Sequence, residues 1–166
     1  MPPENLLHRP DDLLCRSWAA LQSARHRPDT MRIDADFVNY RLEEAGETLL
    51  SLPPGDLSVR LRLASMITIR HMLERYGWPG DGRISPPKPT AEKIARMEEA
   101  LSWIQIIPMD RNILRRIVGA RALVHPITDR HLFSWRGLSS PIGAEPKAVQ
   151  RWHSDGVEMI VKALKA

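Results

Sequence analysis

The sequence holds a single cysteine, Cys15, among its 166 residues. One thiol closes no internal disulfide and builds no cysteine-based zinc site, so a reducing cytoplasm is the expected setting. No apolar run approaches the roughly 18 residues that span a bilayer, and no membrane partnership is expected. The opening residues, MPPENLLHRPDD, lack the basic start and long apolar stretch of a signal peptide. No internal repeat of fixed period is visible.

Reactive constellations are missing as well. The loop GWPGDG has neither the Gly-Lys-Ser/Thr of a phosphate loop nor the spaced glycines of a dinucleotide turn. Glu98 and Glu99 are neighbours on a predicted helix and point to different faces, as do Glu43 and Glu44, so neither pair works as acid and base. Cys15 has no histidine in a nucleophile arrangement and reads as a buried, inert thiol. Of the six histidines, His125 and His131 flank PITDR, but no recognisable zinc spacing follows. They read as surface or turn histidines. No metal, no cofactor and no enzymatic activity is expected.

Hydrophobic residues make up 43% of the chain, enough for a real core. The net charge of +4 divides unevenly. From Asp110 to Ala166 there are ten Lys and Arg against five Asp and Glu, a net of +5; the other residues carry fourteen against fifteen, a net of −1. Basic charge gathered in one third of a chain suits attraction to phosphates, and it suits a solvated mixed surface equally well.

Apolar spacing and punctuation predict helices throughout. Residues 1–30 form an arm with one short amphipathic segment, DDLLCRSWAALQSARH, where Leu14, Trp18 and Leu21 share a face. A helical region over 31–107 begins near Asp34. There Val38, Leu42, Ala45, Leu49 and Leu52 make a stripe that Pro53-Pro54 stops. A further helix is predicted over LSVRLRLASMITIRHMLERYG, capped by Gly77, where strict strand-like alternation is absent. The loop GWPGDGRISPPKPT is expected to hinge, and its Trp78 either anchors a partner or packs beneath the loop. Thr90 then caps AEKIARMEEALSWIQII, with Ile94, Met97, Leu101 and Ile104 inward and Pro108 ending it. In the region 108–166, Asp110 is expected to cap RNILRRIVGARAL, with Ile113, Leu114, Ile117 and Val118 inward. Arg111, Arg115 and Arg116 there either track a phosphate strand or form a solvated face. Trp103, Trp135 and Trp152 fall at stripe positions and read as core packing rather than base stacking.

The stretch SWRGLSSPIGAEPKAVQRWHSDGVEMIVKAL has the parts of a helix-turn-helix. Ser134 caps a short helix, Gly143 supplies the turn, and Pro146 falls at the first position of a second helix, where its missing N–H costs nothing. Val149, Trp152, Val157, Ile160 and Leu164 then face inward. Lys147, Gln150 and Arg151 are left outward in the first two turns, with His153 adjacent. Lysine and arginine bond guanine edges or phosphates, and glutamine bonds adenine. Lys147, Gln150 and Arg151 are therefore the candidate base contacts, and Arg136, Arg130 and His153 the candidate phosphate contacts.

The Gly143 turn, Val149 and QRW followed by VEMIVKAL resemble the DNA-binding helix-turn-helix of bacterial sigma factors. Over about Asp34 to Leu164, DADFVNYRLEEAGETLLSLP, RMEEALSWIQ, ARALVHP, RHLFSW and GAEPKAVQRWH resemble a family of uncharacterised bacterial and prophage-encoded proteins. That resemblance implies a helical N-terminal part, a sigma-like helix-turn-helix at the C-terminus, and DNA binding. Three residues depart from the sigma-like pattern. Glu145 stands where serine is usual, Pro146 where Arg is frequent, and Pro141 lies inside the short helix.

The expected fold is all-α, a helical N-terminal bundle followed by a tri-helical helix-turn-helix, the two packed as one compact unit. The expected function is a sequence-specific DNA-binding transcription regulator of bacterial or prophage origin, acting on double-stranded DNA through the sigma-like helix-turn-helix. The departures suit weak solitary binding, or binding assisted by a homodimer partner or by RNA polymerase; no heptad repeat nominates a dimer seam. Two alternatives stand beside it: an RNA polymerase-docking or other protein-interaction factor with a degenerate helix-turn-helix, and a phage DNA-packaging recognition subunit.

Overall fold

A computed structural model describes residues 32–53 and 86–166. The segments predicted as an arm helix, as the helix over 57–77, and as the loop around Trp78 lie outside the described residues. What is described is all-helical apart from one isolated β-bridge.

Helix α1 spans Ala35–Leu50 and starts where the sequence places it: the Asp34 side chain accepts from the Phe37 N–H at 2.9 Å. It ends before Pro53, with the Ser51 N–H turned onto the Glu47 carbonyl at 3.0 Å. Val38, Leu42, Ala45, Leu49 and Leu52 are all buried. Helix α2 spans Ala91–Ser102, and the Thr90 side chain caps it from the Lys93 N–H. Met97, Leu101 and Ile104 are buried, while Ile94 packs on the core in part. A 3-10 turn over Trp103–Ile106 prolongs α2 before Pro108.

The two helices run antiparallel. Phe37 meets Trp103 at 6.2 Å between ring centroids, Arg41 reaches Glu99 at 2.7 Å, and Arg96 reaches Glu44 at 2.9 Å. The Arg41 guanidinium also lies 5.3 Å from the Trp103 ring centroid, a cation over an aromatic face.

Helix α3 spans Asn112–Ala122 and does not begin as expected. Asp110 lies within a 3-10 turn, Met109–Arg111, closed by the Arg111 N–H on the Pro108 carbonyl. The coil of that turn moves the helix start past Asp110, and the residue before α3 gives it no side-chain cap. Leu114, Ile117 and Val118 are buried, but Ile113 is 49% exposed because the neighbouring elements do not cover the first turn.

Between α3 and the next helix the chain makes a tight antiparallel turn that no periodic signal announces. Val124 bridges to His131, and the His125 N–H donates to the Arg130 carbonyl at 2.8 Å. His125 Nδ1 accepts from the Ile127 and Thr128 N–H groups, and Asp129 adopts a positive φ of 54°.

Helix α4 spans Trp135–Ile142 and α5 spans Pro146–Lys165. A single cluster of buried side chains draws on α1, α2, α3, α4 and α5. A close crossing lies at Gly46, where an added Cβ would stand 1.8 Å from the Ala122 carbonyl oxygen. Only a residue without a side chain lets α1 lie that close to the end of α3.

Candidate nucleic-acid interface

Local rules build α4, the turn and α5. The Ser134 side chain accepts from the Gly137 N–H at 3.0 Å and starts α4. Pro141 lies inside the helix and removes one backbone donor, yet α4 continues to Ile142. Gly143 then turns left-handed, φ 71° and ψ 29°, and its N–H closes on the Ser139 carbonyl at 2.9 Å. A Cβ is strained in that conformation, which is why the turn falls on glycine. Glu145 is extended, but its carboxylate makes no capping bond. Pro146 opens α5, where its missing N–H has no intrahelical partner to lose.

The inward face of α5 is Val149, Val157 and Ile160, fully buried, with Trp152 and Leu164 packed at its margins. Its outward face changes sign along its length. Lys147, Gln150 and Arg151 are exposed in the first two turns; Asp155 and Glu158 are exposed farther on. Arg136 is exposed at the start of α4 and Arg130 at the end of the turn that His125 opens. None of Lys147, Arg151, Arg136 or Arg130 forms an ion pair among the described residues. Five of the six nominated side chains therefore stand in solvent, three of them together on one helix end.

His153 is the exception, and its nomination as a phosphate contact needs correction. Its ring is half-buried and meets Trp135 edge-on, with centroids 5.3 Å apart and planes at 75°. Burial first, then the Arg121 guanidinium and His131, push its pKa down to about 4. At neutral pH it is an uncharged ring packed on an aromatic one, because α4 crosses over that side of α5.

Two other arginines also turn inward. Arg115 folds back onto the end of the preceding 3-10 segment, donating to the Ile107 and Gln105 carbonyls and reaching the Met109 sulfur. Those bonds take it away from the phosphate-tracking role open to it in sequence, while Arg111 and Arg116 remain exposed. Arg121 lies 4.0 Å from the Trp135 ring centroid and donates to the Phe133 carbonyl at 2.8 Å. Burial lowers its pKa, and Glu43 opposes that.

Sequence reasoning missed Arg121 and the role of Trp135 beyond packing. The only local signal was a basic residue in the last turn of α3. His131, with Nδ1 2.9 Å from the Arg121 carbonyl and Nε2 3.6 Å from Glu43, is likewise engaged within the fold. No group of three or more His, Cys, Asp or Glu side chains placed to hold a metal ion occurs among the described residues. Nor is any described helix long and apolar enough to cross a membrane.

A second exposed feature lies at the start of α3. Met109 is 74% exposed, Ile113 49% and Ile106 37%, making apolar surface beside Arg111 and Arg116.

Compared with protein-family models, with curated proteins and with solved structures, the chain finds no match in any of the three.

Proposed function

We propose that this protein is a DNA-binding transcription regulator of bacterial or prophage type, in which α3, α4 and α5 act as a tri-helical helix-turn-helix. In this reading the start of α5 enters the major groove of double-stranded DNA. Lys147, Gln150 and Arg151 face base edges there, and Arg136 and Arg130 face the flanking phosphates. The observation that carries the reading is the exposure of Lys147, Gln150 and Arg151 together on one end of α5, immediately after the left-handed Gly143 turn. Acidic residues enter that face only from Asp155 onward, beyond the part of a recognition helix that reaches bases. Glu145, exposed without a capping bond, adds a negative charge beside Pro146 and weakens the attraction. The binding is accordingly modest alone and gains from a second protein, either another copy of this chain or RNA polymerase.

The test is a salt-dependent titration of random-sequence duplex DNA. Lys147→Ala/Arg151→Ala lowers affinity, and it flattens the dependence on salt by about 0.9 for each of the two cations that also neutralises a phosphate beside the groove. Equal binding by variant and parent at every salt concentration overturns the proposal.

A second reading, docking on RNA polymerase without DNA contact, draws support from the exposed Met109, Ile113 and Ile106. Retention of polymerase on the immobilised protein, lost in Met109→Asp/Ile113→Asp and unaffected by Lys147→Ala/Arg151→Ala, favours it over the first.

A further inference from the structure

The start of α4 is held at one ring. Trp135 has the Arg121 guanidinium 4.0 Å from its centroid and the His153 ring 5.3 Å away with the two planes steeply inclined. Arg121 belongs to α3, Trp135 to α4 and His153 to the second turn of α5, so three helices meet at a single indole. Arg121 is itself fixed, because its Nη1 donates to the carbonyl of Phe133 just before the Ser134 cap. Behind it, His131 bonds the Arg121 carbonyl and faces Glu43 of α1.

We propose that His153 is a positioning residue: it sets the angle at which α5 presents Lys147, Gln150 and Arg151, acting through the Trp135 ring and not by touching DNA. This rests on the DNA-binding reading above and names the internal contact that the reading requires. His153 follows Arg151 by two residues, so the two side chains point to nearly opposite sides of the helix. Arg151 is outward; His153 is on the side that α4 covers. An edge-on imidazole suits an aromatic partner whose face already attracts a cation. A second cation there faces Arg121 and His131, with Glu43 the nearby carboxylate in this group. Positive charge at position 153 therefore drives the ring off Trp135 and lets α5 tilt.

That gives a test with an unusual sign. Adding a lysine to the surface of a DNA-binding helix strengthens attraction to phosphates. At position 153 it does the reverse: His153→Lys binds random-sequence duplex about tenfold more weakly than the parent. His153→Phe, which keeps a flat ring against Trp135, binds within about twofold and with the same salt slope, since no phosphate contact is lost. Unfolding midpoints and tryptophan fluorescence, recorded for both variants without DNA, report the ring contact independently. His153→Lys lowers the midpoint and shifts the emission, while His153→Phe does neither.

Binding by His153→Lys as tight as the parent's, or a salt slope reduced by about one in His153→Phe, identifies His153 as an outward phosphate contact and overturns the inference. If His153→Lys fails to fold, the slope of His153→Phe decides alone. The double variant Lys147→Ala/Arg151→Ala runs in the same titration. Weakening there with none in His153→Lys defeats only this inference, whereas a parent that binds no duplex defeats the DNA reading and this one with it.

Discussion

The α1–α2 pair and the α4–α5 pair handle their arginines in opposite ways. Between α1 and α2, Arg41 and Arg96 are turned onto Glu99 and Glu44, and Arg41 also covers Trp103. Between α4 and α5 no described ion pair crosses; a glycine turn, a stripe of valine and isoleucine, and one tryptophan do the joining. The cations of that second pair, Arg136 of α4 and Lys147, Arg151, Lys162 and Lys165 of α5, remain in solvent. A charged clasp consumes side chains that a binding surface needs outward, and an apolar clasp leaves them available. The positive charge of the C-terminal third is thus partly internal (Arg115 and Arg121) and partly presented, by Lys147, Arg151, Arg136 and Arg130 and also by Arg111, Arg116, Lys162 and Lys165.

The most damaging change is at the seam where α1 meets α3. Gly46→Ala places a methyl 1.8 Å from the Ala122 carbonyl oxygen, a backbone atom that yields only if the helices part. A loss of at least about 3 kcal/mol is expected in urea unfolding, reaching both pairs at once. Retained stability would mean that the seam is slack and the two pairs independent.

Acid separates the pairs more finely. The His153 pKa lies at about 4 in the fold, below its ordinary 6.5. The unfolded chain therefore takes up a proton first. The stabilisation is intact above pH 6.5, falls as pH drops through the window from 6.5 to about 4, and levels off below it. With partial exposure allowed for, the loss attributable to this ring is about 2 kcal/mol. It is read as the difference between the pH–stability curves of the parent and His153→Phe.

Glu44→Gln attacks the charged clasp alone. It strips Arg96 of its partner and leaves Arg41, with a largely buried Nε, less well compensated. A cost of about 1–2 kcal/mol is expected by thermal unfolding, with duplex affinity unchanged. A fall in affinity would show that the clasp also shapes the far surface. The smallest stability effect belongs to Lys147→Ala/Arg151→Ala, within about 0.5 kcal/mol of the parent, because neither side chain touches the described core.

Much of this was legible residue by residue. Asp34, Thr90 and Ser134 cap their helices as their side-chain oxygens dictate, and the α1 stripe is buried to its last leucine. Each depends on residues within about a turn of one another. Asp110 misled for the same reason in reverse: a cap signal is only local, and Pro108 had already begun a different turn there. His153 misled because the outward face of a helix is decided by what lies across from it, here Trp135.

Sequence by itself determined that the described chain is helical, where most of its helices start, and that a left-handed turn on Gly143 precedes a long amphipathic rod with Pro146 at its head. Those outcomes follow from backbone sterics, capping and apolar period, which act over a few residues. Tertiary structure alone decided that Gly46 is a crossing point, that Arg115 and Arg121 turn inward, and that His153 packs while Lys147 and Arg151 do not. Each of those depends on a partner many residues away, and no spacing along the chain encodes which distant atom will arrive opposite.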